Sequence, residues 1–440
     1  MKNLTLLLLI CLPCLGMSQS LSERIQPNLD EWESVYTHLH QYPEVSMAES
    51  ETSAFLAERL NSLGYEVHEE VGVTGIVGIM ENGEGPVVLV RTDMDALPVT
   101  EMTGLPYASK TSTVASTGNE SGIMHACGHD MHMTSWLGTA ETMASLTSEW
   151  SGTLIFIGQP AEETGAGAKA MLEDGLFERF PRPEYAFGVH VLPDLAAGRI
   201  GYRARGAMAS VDMLRITVSG RGGHGASPHQ AIDPIVLSAS LIMDFQTIVS
   251  RNVSPFSPAV VTVGAIHGGT KGNIIPGNVE MLLTLRTYDT DTRDLLLRRL
   301  EEICDSKAAG MGLTEEEYPV IEFAETSTPV TYNDPELTEF VNQAIREELG
   351  SENLSEVGPF TFGEDFSRYS QPDDIKGVMF FLGSVSRERL LGYAERNEMP
   401  PGLHSAFYYP DPRLTMETGV RAMSSVLLKV MKRGPDGSRH

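Results

Sequence analysis

The sequence predicts an α/β protein. A domain built on a mixed, mainly parallel sheet is interrupted by an inserted ferredoxin-like α+β domain. Three observations predict it. First, the short apolar runs "PVVLVRTDMDALP", "GTLIFIGQPAEE" and "YAFGVHVLPD" each end in acidic or histidine residues, as buried parallel strands do when they deliver functional groups at their carboxyl ends. Second, near Met208 the pattern changes to a β-α-β-β-α-β succession, the ferredoxin-like arrangement. Third, the helix and strand patterns resume after that succession ends.

In chain order, Asp30 to Leu63 has helical apolar spacing broken at "QYPE" (Gln41–Glu44). "GYEVHEEV" and "GIVGIM" read as strands, followed by the first apolar run. A helix is expected over roughly His129 to Ser145, then the second run, then the helix "AGAKAMLEDGLF" with Gly175 as its stop. The third run carries His190 near its end. "SVDMLRITVSGRGG" alternates as a half-buried strand, and "DPIVLSASLIMDFQTIVSR" is an amphipathic helix. The strands "AVVTVGAIHGG" and "NVEMLLTLRTYD", the helix "TRDLLLRRLEEICDSKAAGMG" and the strand "YPVIEFAET" complete the insertion. "PELTEFVNQAIREELG", "GVMFFLGSV" and "LTMETGVRAMSSVLLKVM" return to the first pattern. The expected division is a signal peptide at 1–18, the main domain at 19–208 and 327–433, the inserted domain at 209–326, and a disordered tail at 434–440. Hinges are expected near Ala209 and Thr326.

The leader combines Lys2, an apolar run from Leu4 to Leu15, and small residues at Gly16 and Ser18. That is an export signal cleaved after Ser18, too short to span a bilayer as a mature helix. Ile10 and Pro13 are poor residues to precede a lipidated cysteine at Cys11 or Cys14. The protein is therefore expected to be exported, to the periplasm or the exterior. Its 440 residues carry a formal net charge of −27. Phosphate would be repelled, which argues against nucleic acid and anionic membranes as partners. An anionic small substrate stays compatible if an arginine waits at the site. Beyond the leader only Cys127 and Cys304 remain. A disulfide between them is the ordinary reading for an exported protein, set aside because Cys127 has a better use.

That use lies in "GIMHACGHDMHMTSW" (Gly122–Trp136), where His125, Cys127, His129, Asp130 and His132 fall within eight residues. Thiolate, imidazole and carboxylate are the donors that zinc and similar borderline ions select. Taken singly each residue has a plainer reading: His129 a helix-start histidine, His190 a strand-core histidine, His404 part of a turn. Glu162 and Glu163 are adjacent just past a strand, so their side chains point in different directions.

"RTDMDALP", "GIMHACGHD", "GQPAEETGAGA", "GVHVLP", "GRGGHGASPH", "GNIIPG", "FGEDFS" and "GLHSAFYYPD" follow one another in that order. Over about Trp32 to Lys429 the chain resembles the amidohydrolase branch of the aminoacylase and glutamate-carboxypeptidase type metallopeptidases. That branch includes hippurate hydrolases, N-acyl-amino-acid amidohydrolases and auxin-conjugate hydrolases. The resemblance implies a zinc-peptidase-like main domain and two divalent metal ions (Zn, Mn, Co or Ni). Cys127, Glu163 and His404 are expected on one ion, and Cys127, His129 and His190 on the other, with Cys127 as the bridge. It implies Glu162 as general base, Asp95 as an outer-shell aspartate, and Asp93 in a structural or outer-shell place. It also implies His224 at the reacting carbonyl, in relatives reaching a neighbouring subunit's site, with Asn273 and Arg286 holding the substrate. His125 and His132 fall off the pattern; His125 reads as a neighbour of the site, His132 as a helix-face residue and His229 as a surface residue. "ASKTSTVASTGNESG" before the metal motif is longer than usual for the family, which bears on the pocket rim.

The expected activity is hydrolysis of N-acyl amino acids, by a homodimer formed through the inserted domain. The alternatives are a metallo-carboxypeptidase or dipeptidase on the same fold, and an inactive binding protein. Asp93, where those peptidases usually carry a metal-binding histidine, weighs against the first. The full set of candidate ligands with Glu162 weighs against the second.

Overall fold

Residues 19–115, 118–324, 327–370 and 374–432 are described in a computed structural model of the chain. The leader at 1–18, the tail at 434–440 and the domain boundary at Thr326 lie outside the described residues.

An eight-stranded sheet organises the main domain. Its spatial order is Glu66–Val71, Gly75–Asn82, Gly152–Gln159, Val87–Asp93, Tyr185–Ala196, Lys376–Val385, Ile200–Tyr202 and Leu354–Glu356. The four central strands from Gly152–Gln159 to Lys376–Val385 are parallel to one another. Antiparallel pairs flank them on either side. The three apolar runs are therefore neighbours, and their carboxyl ends share one edge of the sheet.

These runs are apolar throughout because both faces are covered. Successive strand side chains alternate between faces. Val88, Val90, Phe380 and Leu382 join one core, beneath helices that contribute Trp32, Leu56, Trp136, Val341 and Val420. Leu89, Met379 and Phe381 join a second core with Met171, Phe366 and Tyr369. Each such side chain contributes about 1.5–3 kcal/mol by leaving water. The helix His129–Ser145 is buried along nearly its whole length, between the sheet and the helices Leu29–Gln41 and Pro412–Val430. It starts at Gly128, whose φ of +82° suits glycine and whose missing Cβ would sit 2.6 Å from a Val191 methyl. Gly175, with φ +87°, stops the helix Gly167–Glu173 as expected.

A second sheet comes from the chain between Ile200–Tyr202 and Leu354–Glu356. Its order is Ala259–Gly268, Asn278–Thr287, Asp212–Ser219 and Val320–Phe323, antiparallel throughout. The helices Pro234–Thr247 and Thr290–Gly310 pack on one face over Leu214, Ile216, Leu241, Phe245, Leu283 and Leu300. Cys304 lies in this core, whereas Cys127 lies in the other unit; both are free thiols, so the disulfide reading is not the one the fold adopts. The two crossings between units run side by side at the neck, where Val211 and Thr328 exchange backbone hydrogen bonds of 2.9 and 2.8 Å.

Because the second unit has its own core, Leu300→Ala is expected to destabilise it by about 2–5 kcal/mol. Metal binding at the main domain should be unaffected. Urea unfolding followed by circular dichroism reads the first outcome, and metal titration of the folded variant reads the second.

Candidate metal centre

Asp95 organises the site. Its two carboxylate oxygens accept the backbone N–H groups of Glu162 and Glu163 at 3.0 and 3.1 Å, and Ser46 Oγ donates to it at 2.6 Å. Its carbonyl accepts from His129 Nδ1 at 2.7 Å. His129 must then present Nε2 to the cavity side, where that buried atom has no hydrogen-bond partner among the described residues. His190 is arranged likewise: Nδ1 donates to the Val191 carbonyl at 2.8 Å, and Nε2 lies 3.7 Å from Cys127 Sγ. Pinning one imidazole nitrogen to orient the other is how metal-binding histidines are held. His404, at φ +64°, is tied to the cysteine turn by its N–H to the Ala126 carbonyl at 2.8 Å, and its Nε2 lies 3.3 Å from Glu163 Oε2.

One donor atom each from Cys127, His129 and His190 lies within 4.8 Å of the others, and the same holds for Cys127, Glu163 and His404. Cys127 belongs to both groups. Glu163 Oε1 is a second buried atom without a partner among the described residues. Two orphaned electron-pair donors, beside a thiol shared by two donor groups, fit a pair of divalent cations. The local electrostatics ask for them as well. Burial, then the Glu163 and Glu162 carboxylates, push the Cys127 thiol well above its usual range. Burial pushes Glu163 up to about 7 against the pull of His129, and pushes Glu162 well above the carboxylate range, with Glu364 adding. Burial lowers His190 to about 3. A cation among these groups would favour their deprotonated forms.

Behind the donors lies a charge network. Arg91, fully buried inside an apolar strand, donates to Asp93 at 2.8 Å, Glu364 at 2.7 Å, Asp365 at 3.1 Å and Gln159 at 2.9 Å. Glu364 and Asp365 come from "FGEDFS", and each offers an oxygen within 4.8 Å of Glu162 and of the other. The sequence alone gives that motif no role. The available signal was the arginine inside "VVLVRTD", which cannot be buried without carboxylate partners. His132 is not a helix-face residue. It is buried, with Nδ1 donating to Asp93 at 2.8 Å and Nε2 accepting the Val191 N–H at 2.9 Å. It therefore ties Asp93, at the end of one strand, to Val191 within another, and Asp93 stands between His132 and Arg91.

The site opens into a cavity of about 850 Å³ that Cys127, Glu162, Glu163, His190 and His404 line. Leu192, Phe360, Phe362, Met399 and Leu403 give it apolar walls, and Arg286 reaches it from the second sheet. Arg286 is half-buried, its pKa lowered by desolvation, and it is the only lysine or arginine among the described lining residues. His224 and Asn273 do not line this cavity. His224 lies on an exposed two-residue strand, Gly223–His224, paired with Ile274–Ile275, and the Asn273 carbonyl accepts the Gly225 N–H at 2.9 Å. The two are neighbours of each other on the second unit. His229 is exposed nearby. The long connection before the metal motif forms a hairpin, Ser112–Val114 with Glu120–Gly122. None of its described residues lines the cavity, so the rim is built elsewhere, by Met399 to His404. The turn carrying the paired glutamates begins at Ala161, whose φ of +49° costs about 1–3 kcal/mol for a residue with a side chain.

Residues 89–399 match the family described as peptidase family M20/M25/M40. The hippurate hydrolase of Campylobacter jejuni is 39% identical over 344 residues, covering 78% of this chain and 85% of that protein. The N-acetyl-L-cysteine deacetylase of Bacillus subtilis is 37% identical over 348 residues, 79% of each chain. Among solved structures, the YXEP protein of Bacillus subtilis, described as a dinuclear metal binding peptidase from the M20 family, superposes with a TM-score of 0.73 at 28% identity. That match covers 92% of this chain and 99% of the other.

On the outer side of the same helix, His40 is buried between two carboxylates, 2.7 Å from Asp130 and 3.1 Å from Glu101. It joins the helix Leu29–Gln41 to the residue that follows His129. Burial alone would lower its pKa; Asp130 and Glu101 outweigh burial and hold it at about 9, up from 6.5. His125, within the same motif, is buried and pushed down to about 4 by desolvation. A histidine raised in the folded state stabilises fully below its unfolded pKa and loses that contribution as pH rises through the folded one. His40→Ala is expected to destabilise by about 3–5 kcal/mol near neutral pH, since it strands buried carboxylates. The deficit relative to the native protein should shrink as pH rises through 9. Thermal unfolding of both proteins from neutral to alkaline pH measures it.

Proposed function

The chain belongs to peptidase family M20/M25/M40 and is a metal-dependent hydrolase of amide bonds, and from that premise we propose that its substrates are N-acyl amino acids, hippurate-like conjugates among them. The observation that carries this reading is the sharing of Cys127 between two donor groups beside Glu162, in a cavity whose described lining residues include one lysine or arginine, Arg286. Cys127, Glu163 and His404 would hold one ion, and Cys127, His129 and His190 the other. Bound there, the ions supply Lewis-acid activation of water and of the scissile carbonyl.

The chain's own groups do the remainder. Glu162 takes a proton from the attacking water and returns it to the departing nitrogen, so the products are a carboxylic acid and a free amino acid. Burial, which favours its protonated form, suits the second half of that exchange. Arg286 pairs with the amino acid's carboxylate and offsets the repulsion expected from a chain of charge −27. His224 and Asn273 act on the carbonyl and carboxylate of a substrate in a partner subunit's cavity, which explains why neither lines its own. The homodimer would form through the second unit. There the edge strand Ala259–Gly268 has no partner on its outer side among the described residues, and Ile235, Val236 and Met243 are exposed on the adjacent helix. Open edges and exposed apolar surface are both relieved by a second copy. In this reading the leader carries the enzyme out of the cytoplasm.

Two experiments test these roles. Glu162→Gln should retain both ions and substrate affinity while kcat for hippurate falls by roughly 10²–10⁴-fold. Cys127→Ser should remain folded and lose most bound metal. Metal analysis and assays with N-benzoyl, N-acetyl and dipeptide substrates, each with zinc, manganese, cobalt and nickel, read both outcomes. Full metal content in Cys127→Ser would end the bridging assignment. For the dimer, a His224→Ala protein and a Glu162→Gln protein, each inactive alone, should regain activity when subunits exchange. In the mixed dimer one cavity keeps both groups. Proven exchange without recovered activity, or a monomer in solution, would overturn the arrangement.

A further inference from the structure

Glu49 belongs to none of the motifs that carry the chemistry, yet its side chain is fully buried. Its Oε1 accepts the N–H of Ala161 at 2.8 Å and of Met47 at 3.0 Å, and Thr74 Oγ1 donates to Oε2 at 2.6 Å. Ala161 and Met47 are both left-handed, with φ of +49° and +63°, a conformation that a residue with a Cβ resists. A single carboxylate oxygen thus holds the amides of two strained residues. A carboxylate is not left dry in a protein interior without such donors, and charge-assisted hydrogen bonds to backbone N–H groups are among the stronger ones available.

The position of Ala161 gives this contact its consequence. Ala161 immediately precedes the paired glutamates, so its φ and ψ set the direction in which the Glu162 and Glu163 side chains leave the strand end. Asp95 grips the next two amides. Three successive N–H groups therefore end on buried carboxylates from elsewhere in the chain, and the two anchors stand on either side of the left-handed Cα. Asp95, together with Thr164 Oγ1 and the N–H groups of Ala166 and Gly167 that donate to the Ala161 carbonyl, grips the far side of that Cα, and Glu49 grips the near side. The segment carrying Glu49 also serves the other anchor: Ser46 donates to Asp95, and Val45 bridges to Ala96. The loop 43–49 is in this sense the backing of the glutamate turn.

We propose that Glu49 is a positioning residue, which through the amide of Ala161 holds the turn that aims Glu162 and Glu163 into the cavity. The proposal rests on the reading of Glu162 as base and Glu163 as metal ligand. Its test compares Glu49→Ala with Glu49→Gln. The glutamine keeps an oxygen for both amides, and the Thr74 hydroxyl can turn to accept from its Nε2, so that variant should stay near the native kcat. Glu49→Ala should lower kcat by roughly 10- to 100-fold with KM little changed, as a displaced catalytic group does. It should also weaken metal binding by roughly 10-fold, as loss of support behind a ligand does. Its crystal structure should show Ala161 relaxed out of the left-handed region.

If Glu49→Ala does not fold, Glu49→Asp takes its place, because its carboxylate stops one methylene short of Ala161. A folded variant with native kcat, native metal affinity and an unchanged Ala161 would overturn the proposal. Equal damage in the glutamine and alanine variants would overturn it as well, by showing that the buried charge matters and the hydrogen-bonded geometry does not. Should the native chain hydrolyse no N-acyl amino acid, the proposed function fails. Metal affinity and the Ala161 conformation then still decide on Glu49.

Discussion

The site depends on the way Asp95 divides its hydrogen bonds. Its carboxylate binds the amides of Glu162 and Glu163, and its carbonyl fixes the ring of His129. Two strand ends and the start of a buried helix are thereby referred to a single residue. Without that shared reference the turn that carries the candidate base and one candidate ligand would be set independently of the helix start that carries the imidazole. Loops differ in their freedom far more than strands do, and tenths of an ångström matter where donors must converge on one ion.

That convergence concentrates negative charge in a dry place. Asp93, Asp95, Glu162, Glu163, Glu364 and Asp365 gather at the carboxyl edge of the central strands, and Arg91 is the one buried guanidinium among them. Desolvation disfavours so many carboxylates unless cations or protons balance them. Arg91 answers for the rear of the cluster. At the front the balance falls to whatever the orphaned His129 Nε2 and Glu163 Oε1 face. The same excess of acid that would unsettle a purely structural core makes the edge a candidate cation site.

The two units divide the labour by their packing. The main domain is covered on both sheet faces, and the donors stand at one edge of that sheet. The second unit has its own core, joined by two adjacent crossings, and brings Arg286 to the cavity while holding His224 away from it. Two separately packed units that share one cavity are an arrangement in which one conformation can admit a substrate and another can enclose it.

What the sequence by itself determined is local in origin. Apolar runs ending in acid and histidine follow from residue order along one strand. So do the change of pattern near Met208, the start of the helix at His129 and the stop at Gly175. The ligand candidates came from the resemblance that eight motifs in order carry to a known family, since each residue taken singly has a plainer reading. The tertiary structure alone decided the pairings between stretches. Arg91 meets Glu364 across 273 positions, and Glu49 meets Ala161 across 112. His132 turned inward to bind Asp93, and the described residues of the long hairpin before the metal motif do not line the cavity. Periodicity reports which face of an element is buried, but not what another element brings against that face. A buried polar side chain such as Arg91 or Glu49 therefore announces that it needs a partner, and only the packing of the whole chain supplies it.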